Sequence, residues 1–353
     1  MDLILSWFNR ISLKERVFFS RQLATMIGSG VPLSQALNLL LAQTRNVVMR
    51  TTVTTIIHDL EAGYSFSTAI AKHPHAFNKV YIAIIRSGEQ SGKMDVVLKR
   101  MAEQMENEAS FSGKIRSALL YPAFIFVAMI GVAILMMVRV IPQLKSIFEE
   151  AGAQLPFSTR ILITLSDFMI EYWYLAILIV VGALAAVRFF ITSTGTGRAF
   201  WNHMQISLPI FGGLNQGAYM ARMNRTMSML VQSGIPIIEA IKIVAAVIDN
   251  KLYYDGLIEV ASQVERGVPM SVPLSQNPIF PVIVAQMFAV GEQTGKLEQI
   301  LDNLAVYYED ETATKVKGLS SLLEPAIMLV IGGGVAFLVF SILMPIYNIA
   351  NLG

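Results

Sequence analysis

The sequence contains no cysteine and little charge. Because none of the 353 residues carries a thiol, disulfide bonds and thiolate metal sites are excluded. Charged residues make up 15% of the chain, whereas soluble domains carry roughly 25%. The net charge of +2 is too small to indicate a nucleic acid as a partner. Apolar residues make up 54% and the mean hydropathy is +0.56, so the composition indicates a membrane protein.

One stretch of the sequence occurs twice at a nearly constant distance. Gly88-Glu-Gln-Ser-Gly-Lys93 returns 203 residues later as Gly291-Glu-Gln-Thr-Gly-Lys296. Two earlier motifs, Ser29-Gly-Val-Pro32 and Glu61-Ala-Gly63, return 204 residues later. A constant offset over about a hundred residues, changed by one insertion or deletion, indicates an internal duplication. The chain is therefore predicted to contain two copies of one structural unit.

Each copy is predicted to be an all-α bundle of about six helices, because apolar residues recur at helical spacing and β-branched alternation is scarce. Gly30 suits the left-handed position after a helix, and Pro32 suits the first turn of the next. In the repeated Gly-Glu-x-x-Gly turn, we expect the glycines to end one helix and the glutamate to bind free amides at the start of the next helix. The predicted structural or docking residues are Gly30, Pro32, Gly63, Gly88, Glu89, Gly92 and Pro122 in the first copy, and Gly234, Pro236, Gly267, Gly291, Glu292, Gly295 and Pro325 in the second.

Three apolar stretches are predicted to cross a membrane. Residues 117–138 are 22 residues without a charge, and about 20 apolar residues cross a ~30 Å hydrocarbon layer. Residues 172–187 are uncharged over 16 positions and begin with an aromatic Tyr-Trp-Tyr anchor. No charged residue occurs from Pro325 to the end of the sequence. The first and third spans are predicted copies of each other, and the second returns the chain between them.

The positions of Lys and Arg predict the orientation of these spans. Basic residues are frequent beside the two helical bundles, whereas the connector between the first two spans has only Lys145 and Arg160. The positive-inside rule then places both bundles in the cytoplasm and the C-terminus outside. The predicted segments are a first cytoplasmic domain (1–116), a first span (117–141), a short outer connector (142–168), a second span (169–191), a second cytoplasmic domain (192–319), a third span (320–345) and a short outer tail (346–353).

The repeated turn does not have the spacing of a phosphate-binding loop. Such a loop needs Gly at position 87 and Ser or Thr at position 94, where this chain has Ser87 and Met94. The four histidines show no metal-ligand spacing beyond an isolated His73-Pro-His75. No Ser-His-Asp arrangement stands out. We therefore predict no catalytic, cofactor-binding or metal-binding residue and no cofactor.

Acidic residues cluster on the helix that leads towards the membrane in each copy, at Glu103, Glu106 and Glu108 and at Glu309-Asp310-Glu311. A solvated helix face is the expected explanation, and a cation site or a docking site is the alternative. No ionisable residue lies in the middle of a predicted span, which argues against an ion-coupled transporter.

Taken together, the duplicated motifs resemble one known family over nearly the whole chain. These motifs are the Gly-x-Pro break, the Gly-Glu-x-x-Gly turn, and the Leu-x-Tyr/Glu-Pro sequence before Pro122 and Pro325. The connector is similar too, through Pro142, Phe148 and Leu155-Pro156. The family is that of the inner-membrane platform proteins of type II secretion and type IV pilus machines (secretion protein F and pilus protein C).

The resemblance implies a non-enzymatic, multi-pass protein of the bacterial inner membrane, with its connector and tail in the periplasm. It also implies a homo-oligomer whose partners are a hexameric cytoplasmic assembly ATPase, pilin or pseudopilin helices, and other inner-membrane assembly proteins. The expected role is to couple the ATPase to the transfer of subunits into a growing fibre. The alternatives from the residues alone are a duplicated membrane transporter or channel, and a membrane receptor with cytoplasmic scaffolding domains.

Overall fold

The structure of the chain is a computed structural model that describes residues 11–150, 157–208 and 211–350. Within these ranges the regular elements are helices, so the predicted all-α fold is confirmed. The chain divides into two compact units. The first contains Met1–Lys114 and Asn202–Ala313, and the second contains Ile115–Trp201 and Thr314–Gly353. The connector residues Leu155-Pro156 lie outside the described ranges.

Two series of six helices correspond to the predicted repeat. The first copy consists of α1 (Leu13–Gly28), α2 (Leu33–Gln43), α3 (Val47–Glu61), α4 (Phe66–Ala71), α5 (Lys79–Ser91) and α6 (Met94–Leu135). A π-helical turn (Met136–Val140), α7 (Ile141–Glu150), α8 (Phe157–Ser193) and α9 (Gly195–Ser207) follow. The second copy consists of α10 (Phe211–Gln232), α11 (Ile237–Val247), α12 (Lys251–Glu265), α13 (Ser271–Gln276), α14 (Val282–Thr294) and α15 (Leu297–Ala350).

The helix ends agree between the copies almost residue by residue. Helices α2 and α3 begin and end 204 residues before α11 and α12, and α5 begins and ends 203 residues before α14. Asn46 and Asn250 are equivalent residues, and each accepts a backbone hydrogen bond at the start of its helix. The duplication is therefore preserved in the fold as well as in the sequence motifs.

Left-handed glycines end the equivalent helices. Among the described residues, positive φ angles occur only at six glycines, which form three pairs at the repeat offset: Gly30 and Gly234 (84° and 79°), Gly63 and Gly267 (88° and 85°), and Gly92 and Gly295 (67° and 68°). A side chain at such an angle is strained, so glycine is the residue that stops these helices at low cost.

The two prolines of the Gly-x-Pro breaks lie one position earlier than predicted. Pro32 and Pro236 have extended ψ angles of 142° and 140° and immediately precede α2 and α11, rather than lying within their first turns. Their carbonyl groups accept the first helical hydrogen bonds, from Ala36 and Ala240 at 2.9 Å. The prolines thus take the capping position itself.

The first unit has one hydrophobic core to which both copies contribute. Phe19, Leu37 and Ile84 of the first copy belong to the same buried cluster as Tyr253 and Phe288 of the second. Within each copy, successive helices pack against each other, as α2 does on α1 and α3. Because the apolar faces of both copies meet in one core, the two copies form a single folded body.

The second unit contains the apolar helices. Two helices are long and apolar enough to cross a membrane, within Met94–Gln143 and Leu297–Phe337. A third crossing is added if the pair Arg160–Leu175 and Ile177–Ser193, bent by 55°, is counted as one span. Within this pair Tyr172 has a non-helical backbone, with φ −117° and ψ 19°. The apolar side chains along these helices, such as Phe124 and Leu329, are exposed.

The helix type changes after α6, near the position predicted for the boundary between the first span and the connector. The chain continues from α6 through the π-helical turn into α7 and includes Pro142, and the Met137 carbonyl in the π-helical turn accepts a hydrogen bond from the Ser166 hydroxyl of α8. The described start of the predicted connector, from Pro142 to Glu150, therefore belongs to α7. Ile141 packs on Leu162 and Ile163 of α8 in a small apolar cluster of this unit.

Candidate functional site

The repeated turn joins α5 to α6 and α14 to α15 in the same conformation. Gly92 and Gly295 adopt the left-handed conformation directly after α5 and α14, as predicted. The following amides close the turn, because Lys93 N donates to the Gly88 carbonyl at 3.0 Å and Lys296 N donates to the Gly291 carbonyl at 3.1 Å. Each glycine thus ends one helix, and the chain turns directly into the long helix that follows.

The glutamate of the turn caps a helix, but not the one predicted from the sequence. The carboxylate of Glu89 accepts hydrogen bonds from the amides of Phe66 (2.5 Å) and Ser67 (3.0 Å), which are the first amides of α4. The prediction that the glutamate binds the start of the following helix was wrong. The carboxylate reaches the preceding helix α4 because α5 packs along it. A negative charge at a helix N-terminus accepts hydrogen bonds from the free amides and interacts favourably with the helix dipole.

The second copy repeats this cap at equivalent atoms. Glu292 accepts hydrogen bonds from Met270 N at 2.5 Å and Ser271 N at 3.3 Å, and from the Ser271 hydroxyl at 2.7 Å. Met270 and Ser271 are the counterparts of Phe66 and Ser67 at the offset of 204. We name each arrangement a carboxylate clamp: Glu89 with the start of α4, and Glu292 with the start of α13.

The first glycine of the turn allows two helices to approach closely. Gly88 and Gly291 are both buried. A Cβ atom on Gly88 would lie 2.2 Å from Val97 Cγ2, and one on Gly291 would lie 3.1 Å from Leu297 Cδ1 and 3.2 Å from Leu297 Cα. A side chain at Gly88 would therefore collide with Val97 of the following helix, and one at Gly291 would crowd Leu297.

An arginine–glutamate pair links the first and last helices of the bundle in each copy. The Arg21 guanidinium donates to both oxygens of Glu106, with 2.5 Å between Nε and Oε1. In the second copy Arg225 donates to both oxygens of Glu309 at 2.9 Å, and also to Asp302 at 2.5 Å. A pair with two hydrogen bonds sets the relative orientation of the two side chains in addition to pairing their opposite charges.

The ion pairs affect the pKa values of their members. The hydrogen bond from Arg21 lowers the pKa of Glu106 below its ordinary value, against a smaller opposing effect of burial. For Arg225, burial acts to lower the pKa, but the hydrogen bond and the negative charge of Glu309, together with the charge of Asp302, raise it overall. The lowered pKa of Glu106 and the raised pKa of Arg225 both favour the charged form of the side chain.

The ion pairs were missed in the sequence, although a signal was available. Arg21 recurs as Arg225 at the offset of 204, and Glu106 recurs as Glu309 at 203. The acidic clusters were expected to be solvated faces or, alternatively, a cation site, whereas one carboxylate in each cluster is bound to an arginine. In the described residues, no group of three or more His, Asp or Glu side chains is placed to hold a metal ion.

A second set of contacts joins the two copies within the first unit. The Ser87 hydroxyl donates to the Ser233 carbonyl at 2.5 Å, and Arg100 Nη1 donates to the Gln232 carbonyl at 2.5 Å. These carbonyls lie at the end of α10, where the free C-terminal acceptors of a helix need partners. The turn of the first copy therefore lies against the Ser233-Gly234-Ile235-Pro236 break of the second copy.

The structure brings some of the predicted residues together and separates others. Gly88, Glu89 and Gly92 form one turn, and its clamp places that turn beside the α3–α4 break that contains Gly63. The second copy repeats this arrangement with Gly267, Gly291, Glu292 and Gly295. Pro122 and Pro325 are not part of these turns, because they lie within α6 and α15 in the other unit. The role of all these residues as a docking motif stays a prediction.

Paired helical bundles, matched breaks and apolar helices define a duplicated all-α membrane protein. A family profile described as "Type II secretion system (T2SS), protein F" matches residues 19–142 and 224–345, two segments that correspond to the two copies of the repeat. The match covers more than half of the chain. The chain belongs to the type II secretion system protein F family.

Individual relatives are similar over nearly the whole of this chain and most of their own length. The chain is 36% identical, over 96% of its own length and 83% of the relative, to the type IV pilus assembly protein PilC of Thermus thermophilus. It is 32% identical to the protein of the same name from Pseudomonas aeruginosa, over 95% and 89% of the two chains. It is 31% identical to the type II secretion system protein F of Aeromonas hydrophila, over 97% and 88%. The predicted family is therefore confirmed, and its members serve in pilus assembly or type II secretion.

Proposed function

We propose that the chain is a non-enzymatic platform protein of the bacterial inner membrane, which couples a cytoplasmic assembly ATPase to the transfer of pilin or pseudopilin subunits into a growing fibre. Family membership over nearly the whole chain carries this proposal. The hexameric ATPase would bind from the cytoplasm, where both helical bundles lie, and the fibre subunits would meet the apolar helices. The connector and the C-terminal tail would lie in the periplasm, and the working form would be a homo-oligomer.

The helix that follows each repeated turn supports a mechanical role. Helix α6 begins two residues after Gly92 and continues without interruption to Leu135, and α15 begins two residues after Gly295 and continues to Ala350. A helix transmits a displacement along its axis because its backbone hydrogen bonds hold the turns together. Movement of a bundle would thus be passed directly to an apolar segment of the same helix.

Helix continuity is the feature to test. Gly113 lies within α6, is exposed, and has no atom within 4 Å of the position a Cβ would take. Gly113→Pro removes one backbone hydrogen bond and kinks the helix at a cost of about 3 kcal/mol. Gly113→Ala is the matched control, because it keeps the helix intact.

The experiment compares both variants in a strain from which the gene has been deleted. Surface fibres and secreted enzymes are scored, and the amount of protein in the membrane is measured by immunoblot. Gly113→Pro is expected to accumulate without restoring fibres or secretion, while Gly113→Ala restores them. Full restoration by an equally abundant Gly113→Pro would reject transmission through α6. A deletion strain that keeps fibres and secretion but takes up solutes differently would favour the transporter alternative.

A further inference from the structure

The contact between the two copies uses different surfaces on the two sides. The first copy contributes its turn face, which we define by Ser87 and Arg100. The second copy contributes its break face, which we define by the carbonyls of Gln232 and Ser233. A contact between unlike surfaces of two related bodies is heterologous, so it uses one surface of each and leaves the other one open.

The repeat identifies the two surfaces that this contact leaves open. The turn face of the second copy is defined by Val290 and Asn303, the counterparts of Ser87 and Arg100 at the offset of 203. The break face of the first copy is defined by Gly28 and Ser29, the counterparts of Gln232 and Ser233 at 204. All four of these residues are exposed.

Side chains around the open faces are also more exposed than their covered counterparts. Ile283 on α14 is 38% exposed, whereas its counterpart Val80 on α5 is 5% exposed. Thr25 on α1 is exposed, whereas its counterpart Met229 on α10 is buried. Val80 and Met229 thus mark positions that are buried where a turn face packs on a break face, and Ile283 and Thr25 mark the same positions on the open faces.

Both open faces carry apolar side chains. Val290 places an apolar side chain on the second turn face where Ser87 donates a hydrogen bond on the first, and Ile283 is apolar like its counterpart Val80. In the observed contact α11 of the second copy also packs on α5, and its counterpart in the first copy, α2, carries Leu39, which is 46% exposed. Burial of such apolar side chains in an interface lowers the free energy and so favours association.

We propose that the open turn face of the second copy docks on the open break face of the first copy in a neighbouring chain. Identical chains then associate head to tail through a variant of the contact that already joins the two copies within one chain. A second copy of this chain is the occupant because its second turn face is the repeat counterpart of the surface that covers a break face within one chain. This surface is proposed for the homo-oligomer that is part of the proposed function, and the inference rests on that function.

Cysteine cross-linking in membranes tests this pairing, because the natural chain has no cysteine. One chain carries Ser29→Cys, and a second chain with a different tag carries Val290→Cys. When both are produced in one cell and oxidised, a disulfide-linked dimer containing both tags is expected. A single chain that carries both substitutions is expected to give a ladder of oligomers, whose upper limit reports the number of subunits if the ring closes.

Two control pairs use the covered faces. Ser87→Cys with Ser233→Cys in one chain is expected to form a disulfide within that chain, which shows that the first unit has folded. Ser233→Cys in one chain with Val290→Cys in another is expected to give no mixed dimer, because the break face of the second copy is already covered by α5.

A charge on the open faces provides an independent measurement. Leu39→Arg or Ile283→Arg, added to the cysteine pair, is expected to reduce the mixed dimer to the level found without oxidant. Leu39 and Ile283 are both exposed in the single chain, so neither charge should disturb its fold. The intramolecular disulfide of the chain with Ser87→Cys and Ser233→Cys should therefore still form in these variants. A mixed dimer that persists undiminished in both variants would contradict the proposed surface.

Other outcomes would overturn the inference while leaving the proposed function intact. If the intramolecular disulfide forms and fibres assemble, but no dimer joins positions 29 and 290, the chains associate through another surface. If chains with Val290→Cys alone link to each other as efficiently as the mixed pair, the interface is symmetric and not head to tail. Loss of fibre assembly in the deletion strain remains the separate test of the proposed function.

Discussion

The carboxylate clamps can be tested most directly by removing their charge. Glu89→Gln keeps the size of the side chain but replaces one acceptor oxygen with an NH₂ group, which faces a backbone N–H at the start of α4. Hydrogen bonds to charged groups contribute about 1.5–3 kcal/mol, and loss of a helix cap typically costs about 1 kcal/mol. Because glutamine still accepts one of the two hydrogen bonds, we expect α4 to be destabilised by about 1–2 kcal/mol.

The assay is hydrogen exchange measured by mass spectrometry on the full chain in detergent. A loss of 1–2 kcal/mol corresponds to a factor of about 5–30 in an opening equilibrium. Peptides covering α4 should therefore exchange faster by about this factor in Glu89→Gln, while peptides covering α13 keep their wild-type rates. Glu292→Gln should give the reverse pattern, because it removes the clamp of the second copy alone.

The neighbouring residue supplies the control. Gln90 is exposed and directly follows Glu89, so Gln90→Ala changes the same turn without changing the clamp. It is expected to leave exchange in α4 unchanged. Equal exchange of α4 in Glu89→Gln and in the wild type would refute the argument that this carboxylate stabilises the start of α4.

Two further predictions concern the helix ends and the ion pairs. Gly92→Ala forces an alanine to φ +67°, which costs about 1–2 kcal/mol, so the Tm of the detergent-solubilised chain should fall. Gly113→Ala, within α6, should leave the Tm unchanged or raise it. An equal effect of both substitutions would contradict the explanation from the backbone angle. The lowered pKa of Glu106 stabilises the fold above the ordinary glutamate pKa, and this contribution is lost as the pH falls through the lowered value. Glu106→Gln should therefore be less stable than the wild type at pH 7, by no more than about 1 kcal/mol for this partly exposed pair, and the difference in Tm should shrink as the pH falls below the ordinary glutamate pKa; a difference that does not shrink as the pH falls would contradict this role of the ion pair.

Local features of the fold could be predicted from the sequence because they depend on nearby residues. The left-handed turns at Gly30 and Gly92 follow from a glycine that interrupts an apolar helical pattern. The repeat then extended each of these predictions to the second copy.

Contacts between distant helices could not be predicted in this way. The partner of Glu89 lies 23 residues earlier in the chain, and which free amides the carboxylate reaches depends on how α5 packs on α4. Arg21 and Glu106 are 85 residues apart, so neither helical periodicity nor local spacing relates them. Only their joint recurrence at the repeat offset pointed to a contact, and this signal does not by itself say which residues pair.

The change in offset from 204 to 203 identifies the place where the fold accepts length variation. It falls between α4 and α5, where the first copy has His73-Pro-His75 and the second copy a shorter connection from Asn277 to Pro281. Buried Phe77 and Phe280 lie at equivalent positions directly after this change, and the clamps hold the two helices together independently of the loop. Since lengthening a loop costs little free energy, residues 73–75 are a suitable place to insert an epitope or a fluorescent label. Such a label would follow the bundle in living cells without interrupting any helix.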